Sequence, residues 1–321
     1  MHPAFSVIFL TTLIGAGQGL FIALYCAEAG ARIGWLQGPD HGFYVGGAIV
    51  VCILMGLGLV ASFFHLGRPE RGWRAAARWR TSWLSREVIV LPAFFAGAAV
   101  WGALHWFAAG DAPFAGPVPS TLVLGAVTAA LALALFLCTG MIYACLKFLQ
   151  EWATPLTVAN YLLLGSASGF TLATAYAAAA APTLTPFFAA TAVILVTFAL
   201  ITRGASLIRN ARLKPRSNLQ SAIGIKHPRI VQKSQGMMGG AFNTREFFHG
   251  RTRAFLRSVK WVFLVLVFPV PVALMAGGLA LSSPALLLAA FVVQYVGLLA
   301  ERWFFFAQSN HPQNLYYQAV A

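Results

Sequence analysis

Apolar runs near or beyond 18 residues recur along this chain, and few folds can accommodate them. A run of about 20 apolar residues matches the hydrocarbon thickness of a bilayer when wound as a helix. Inside that layer the backbone must satisfy its own hydrogen bonds, which leaves helices or closed barrels. Barrels need alternating strands of about ten residues, and no such alternation is present. A chain that is 59% hydrophobic and 9% charged also lacks the charge of a soluble domain of this length. The expected fold is therefore all-α: one polytopic membrane domain over residues 1–321 with eight transmembrane helices. The spans fall at roughly 4–29, 42–65, 87–109, 119–146, 155–179, 185–207, 259–280 and 285–307. The first run starts at Pro3 with no basic segment before it and no small-residue cleavage site after it. It reads as a retained span and not a signal peptide.

An even number of spans puts both termini on one face, called side A here. The loops after spans 2, 4 and 6 share that face. It receives 21 of the 22 Lys and Arg, and side B keeps only Arg32. One missed or invented span would scatter this charge over both faces. The positive-inside rule makes side A cytoplasmic, in a bacterial inner membrane. The basic surplus then points to membrane lipid and protein partners, not nucleic acid. The longest basic loop, about 208–258, is the sizeable extramembrane segment. Its second half mixes Arg with Phe and Leu at helical spacing and is expected along the membrane interface. Contact with anionic lipid and docking of a soluble partner both fit that composition.

Chemistry concentrates between spans 2 and 3. His65 to Glu87 holds six Arg, three Trp, a His and two Glu between two apolar runs. Ionisable groups in or beside spans are functional candidates. On side A these are His65, Glu87, Glu301 and Arg302; on side B they are Glu28, His41 and His105. Gln18, Asn160 and Gln294 are neutral polar groups at mid-membrane. The four cysteines are scattered among apolar runs without a CxxC pair, so no iron–sulfur cluster is expected in this chain. A haem needs two histidines at one depth. His65 and His105 lie about 27 Å apart along the membrane normal, while His41 and His105 could pair near side B. No haem is expected from such helix-end residues. Titratable groups gathered at one face suit a ligand that enters from the lipid and trades protons with water, as a quinone does. Arg68, Arg71, Trp83 and Arg86 at the helix ends could orient its head group. Helix capping and interfacial ion pairs of His65 and Glu87 with Arg68 or Arg86 are the plainer alternative.

The motif residues bear a resemblance. His65-Leu66-Gly67-Arg68-Pro69, then Trp73-Arg74, then Ser82-Trp83-Leu84-Ser85-Arg86-Glu87, resemble the membrane anchor subunit of the dimethyl sulfoxide reductase family. Glu301-Arg302-Trp303 and His311-Pro312 resemble that family's C-terminal end. Met1-His2-Pro3 and the eight-span layout agree, so the likeness covers nearly the whole chain. It implies an anchor with neither haem nor cluster. Such an anchor holds a molybdopterin catalytic subunit and a four-cluster ferredoxin-like iron–sulfur subunit at the membrane. It exchanges electrons with menaquinone or ubiquinone. The family's quinol-site His and Glu match His65 and Glu87. The long loop between spans 6 and 7 departs from the shorter family members.

The resemblance leaves the direction of electron flow open, since similar anchors serve sulfoxide reduction and cytoplasmic sulfite oxidation. If the basic face is cytoplasmic, the partner clusters are too, which favours sulfite oxidation with quinone reduction. A purely structural anchor and an anchor of the polysulfide-reductase type are the competing readings.

Overall fold

The computed structural model describes residues 1–64, 66–108, 120–234 and 245–317. The described residues form eight membrane-spanning segments, all helical. In order they are α1 (Phe5–Arg32), α2 (His41–Phe63), α3 (Trp83–Phe107), α4 (Ser120–Ala144), α5 (Pro155–Ala180) and α6 (Thr185–Ala211). A short helix α7 (Leu219–Ile223) follows in the basic loop. The seventh span consists of α8 (Arg253–Val267) and α9 (Pro269–Ala280), and α10 (Pro284–Ala307) is the eighth. The break between α8 and α9 sits at Phe268, with φ −110° and ψ −77°, directly before Pro269. Proline removes a backbone donor and crowds the preceding turn, so the span divides there.

Helix α1 is the hub, packed against α2, α4, α5 and α10. Two-thirds (67%) of its apolar window is enclosed by protein, whereas only 28% of the α3 window is. Its contact with α5 is close because both helices present glycine. A Cβ on Gly19 would meet Ser166 Cα at 2.9 Å, and one on Gly169 would strike the α1 backbone at Gly19 and Leu20. Small residues let membrane helices approach until their backbones touch. Outward faces are apolar: Ile49, Ile53, Phe198 and Leu288 are exposed and would lie against lipid.

Met1 donates from its amine to Ser309 O at 2.8 Å, and His2 N donates to Glu246 O at 2.8 Å. Both chain ends and the end of the basic loop therefore share one face, as an even span count demands. Helix boundaries differ from expectation where a polar first or last turn belongs to a spanning helix. Helix α3 starts four residues before Glu87, because Ser82 accepts from Ser85 N at 3.3 Å and caps it. Thr252 caps α8 in the same way, accepting from Phe255 N at 3.2 Å. The basic-aromatic stretch from Arg253 to Lys260 is thus the first part of the seventh span and not a separate interfacial element. Phe255 packs edge-on against Trp303 of α10, ring centroids 5.5 Å apart.

Candidate functional site

Glu87 lies one turn into α3, and its carboxylate turns toward α4. The Thr139 hydroxyl donates to Glu87 Oε1. Behind this pair is a cavity of about 30 Å³ lined by Glu87, Thr139, Thr12, Gln18, Tyr161 and Arg302, among apolar neighbours. Five helices contribute to it. Water needs some 10–15 Å³ and two to four polar partners, so the space suits one or two waters. It does not fit a quinone ring. Gln18 is anchored to one side, its Nε2 donating to Ala132 O at 2.8 Å.

Arg302 joins the cavity to a buried ionic cluster. Its Nε lies 2.7 Å from Glu301 Oε2, and Arg203 Nε of α6 lies 2.7 Å from Glu301 Oε1. All three residues are nearly or fully buried. The Arg302 guanidinium also stacks over Tyr161, 4.0 Å from the ring centre, and Tyr161 stacks in turn on Tyr143 at 5.6 Å. One carboxylate between two guanidiniums leaves a net positive charge beside the cavity, which a negative Glu87 would offset.

The sequence-derived candidates separate into three groups. Glu87 and Arg302 meet at the cavity. Glu301 stands behind Arg302 and holds it. The other described head-group candidates, Arg68, Arg71, Trp83 and Arg86, lie at the side-A surface. Arg86 donates from Nε to Trp79 O and from Nη2 to Arg80 O, both at 2.9 Å, and stacks 4.1 Å over Trp83. It thereby folds the preceding segment back over the first turn of α3. That segment contains a 3-10 run, Pro69–Arg78, which Arg68 precedes. Arg71 makes an exposed ion pair with Glu70 at 3.8 Å. Trp73 and Trp79 stand 71% and 53% exposed there, each with a neighbouring arginine over its ring. His65 lies outside the described residues. Thr139 and Tyr161 are members that sequence reasoning missed. A hydroxyl in an apolar run gives no sign of facing a carboxylate. Arg203 reads in the sequence as one more side-A charge near the end of span 6, but it turns inward as the second partner of Glu301.

A second polar group sits at side B. His41 Nδ1 of α2 and His105 Nδ1 of α3 are 2.8 Å apart. His105 Nε2 is 3.5 Å from Glu28 Oε1 of α1, and Trp101 Nε1 donates to Glu28 Oε2 at 3.0 Å. Tyr44 stacks on His105 at 4.5 Å. The two histidines that could meet near side B therefore do so, through a direct hydrogen bond.

The chain matches the family described as DMSO reductase anchor subunit (DmsC) over residues 1–307. It is similar to a sulfite dehydrogenase subunit of Allochromatium vinosum, 55% identical over 325 residues and covering 100% of each chain. It is also similar to the anaerobic dimethyl sulfoxide reductase chain YnfH of Escherichia coli. That match is 36% identical over 72 residues, 22% of this chain and 25% of the relative.

Proposed function

The chain belongs to the DMSO reductase anchor subunit family, and from that premise we propose that it passes electrons between a partner's iron–sulfur subunit and the quinone pool. The observation that carries this reading is Glu87, bonded to Thr139 and sharing a water-sized polar cavity with Arg302 at the side-A end of the bundle. Quinone reduction consumes two electrons and two protons, and quinol oxidation releases them. Glu87 is the group that delivers or takes a proton, and the cavity it shares with Arg302 has room for water beside its carboxylate. The ring itself is met from the exposed side of the first turn of α3, since the cavity is too small for it. Arg68, Arg71 and Trp83 border that approach, Arg86 holds the segment that frames it, and His65 is the further head-group partner that the family resemblance implies. The partners in this reading are a four-cluster ferredoxin-like subunit and a molybdopterin catalytic subunit. Menaquinone or ubiquinone is the membrane substrate, with no haem in this chain.

Direction follows from two supports. The full-length relative is named as part of a sulfite dehydrogenase. The basic face, where Glu87 lies, is the cytoplasmic one by the charge bias. Electrons then flow from sulfite, oxidised in the cytoplasm, into quinone, and Glu87 acts as proton donor.

Glu87→Gln keeps the shape and removes the transferable proton. Quinone-linked turnover of the membrane complex should fall by about 10²–10⁴-fold, the usual contribution of a positioned proton-transfer group. Activity with a water-soluble electron carrier that meets the partner subunits directly should persist, as should membrane attachment. Loss of all three together would make Glu87 a structural residue and move the quinone site elsewhere.

A further inference from the structure

We propose that Glu28, His105 and His41 form a proton relay that opens on side B and stores one proton on the face opposite Glu87. Three observations converge on it. The groups are adjacent, with His41 and His105 sharing a 2.8 Å hydrogen bond through Nδ1 and His105 Nε2 3.5 Å from Glu28 Oε1, an ion-pair contact that closes to a hydrogen bond when His105 takes up a proton. Their burial is graded: His41, the first residue of α2, is partly exposed, while His105 and Glu28 are each 1% exposed. The rings are held in register, because His105 is stacked on Tyr44 and met edge-on by Trp101, both at 4.5 Å.

An imidazole relays a proton by accepting on one nitrogen and releasing from the other. One nitrogen of the shared Nδ1 contact must donate and the other accept. With the proton on His41 Nδ1, a proton arriving at His41 Nε2 displaces it onto His105 Nδ1. His105 then releases its Nε2 proton to Glu28 Oε1. One proton enters, one reaches the carboxylate, and the reverse sequence empties the store. Loading takes the buried cluster from a net charge of −1 to zero, which lowers its cost in a low-dielectric interior. The Trp101 indole, donating to Glu28 Oε2, steadies the carboxylate when it is empty. The other titratable groups facing the cluster are Tyr25 on α1, Tyr44 on α2, and Asp40, which precedes His41 and is engaged as the cap of α2.

The relay is closed on its inner side. Gln18, at the side-A cavity, precedes Glu28 by ten residues on α1, about 15 Å of helix. Phe21 and Leu24, both fully buried, fill the interval. The two faces of the bundle therefore carry separate proton-handling groups with an apolar seal between them. This inference does not depend on a quinone at Glu87.

The test is infrared difference spectroscopy on the full chain in sealed phospholipid vesicles of one orientation, with an acid jump applied to one face. A jump on side B should raise a protonated-carboxyl signal together with imidazole changes. Glu28→Gln should abolish that carboxyl signal and alter the imidazole changes with it. His41→Ala, at a partly exposed helix start where folding is safe, should slow the side-B response by about a hundredfold, the low end for a positioned proton-transfer group. The proposal is overturned if side A loads the signal as fast as side B, if both variants leave it intact, or if imidazole and carboxyl signals titrate independently. The assay contains no quinone, so its failure leaves the reading of Glu87 standing.

Discussion

Glu301 is gripped from two sides, by Arg203 of α6 and by its neighbour Arg302. Each arginine is tolerable in the interior only because the carboxylate is there. Glu301→Gln leaves two buried guanidiniums without a counter-charge, so the loss of stability should be about 3–5 kcal/mol, read as a lowered unfolding temperature in detergent. Arg203→Met should cost less, because Arg302 remains to balance Glu301. Equal costs would mean that the carboxylate is held by something other than this pair of charges. Glu301 and Arg302 stand out in the sequence as ionisable residues at the end of an apolar run. Arg203 does not, because it reads as one of the many side-A charges that run from the end of span 6 into the basic loop. Only the turn of α6 that points it at Phe263 and Phe304 reveals its inward role.

At the scale of elements, the α1–α5 contact depends on glycine. Gly15, Gly17 and Gly19 read in the sequence as helix packing, but the partners cannot be named from spacing alone: Gly15 and Gly19 meet α5, while Gly17 meets Leu54 and Met55 of α2. Gly169→Val would push its side chain into the α1 backbone. Because overpacking cannot be relieved against backbone, the variant should fail to accumulate in the membrane, while Gly56→Val, in open space, should accumulate normally. The segment after the basic loop offers a pH-dependent contact. His311 stacks on Phe247 with centroids 3.7 Å apart. Burial holds its imidazole below the ordinary histidine value, and the N-terminal ammonium pushes the same way. A histidine held neutral contributes stability above its unfolded pKa, and that stability is lost as pH falls through the folded one. Hydrogen-exchange protection around Phe247, taken relative to the intrinsic exchange rate at each pH, should therefore fall as pH drops below about 6.5. His311→Gln should weaken the dependence, leaving the part contributed by the Met1 amine, which burial lowers to about 6. Helix boundaries are legible wherever apolar runs end abruptly. They are missed at Trp83 and Arg253, where a capped polar turn continues into a span.

For the whole molecule, the span count and the shared face of the termini are legible because charge and hydropathy report the same alternation. Orientation makes a direct prediction. Reporter fusions at the C-terminus and within residues 212–252 should both report cytoplasm, and periplasmic signals at both would reverse the assignment and the preference for a cytoplasmic oxidase. The tertiary meetings are not legible, since Glu87, Thr139 and Arg302 come from distant parts of the chain. The central place of α1 has a further consequence during biosynthesis. It is made before the helices it packs against, so its polar groups wait for partners encoded far downstream. Glu28 gains its indole donor 73 residues later, and Gln18 its carbonyl 114 residues later. At about 5–20 residues per second, roughly 6–23 s separate the synthesis of Gln18 from that of Ala132. During that time the nascent helix must be sheltered by the insertion machinery or by lipid-borne water, which makes α1 a point where chains truncated before α4 are exposed to degradation.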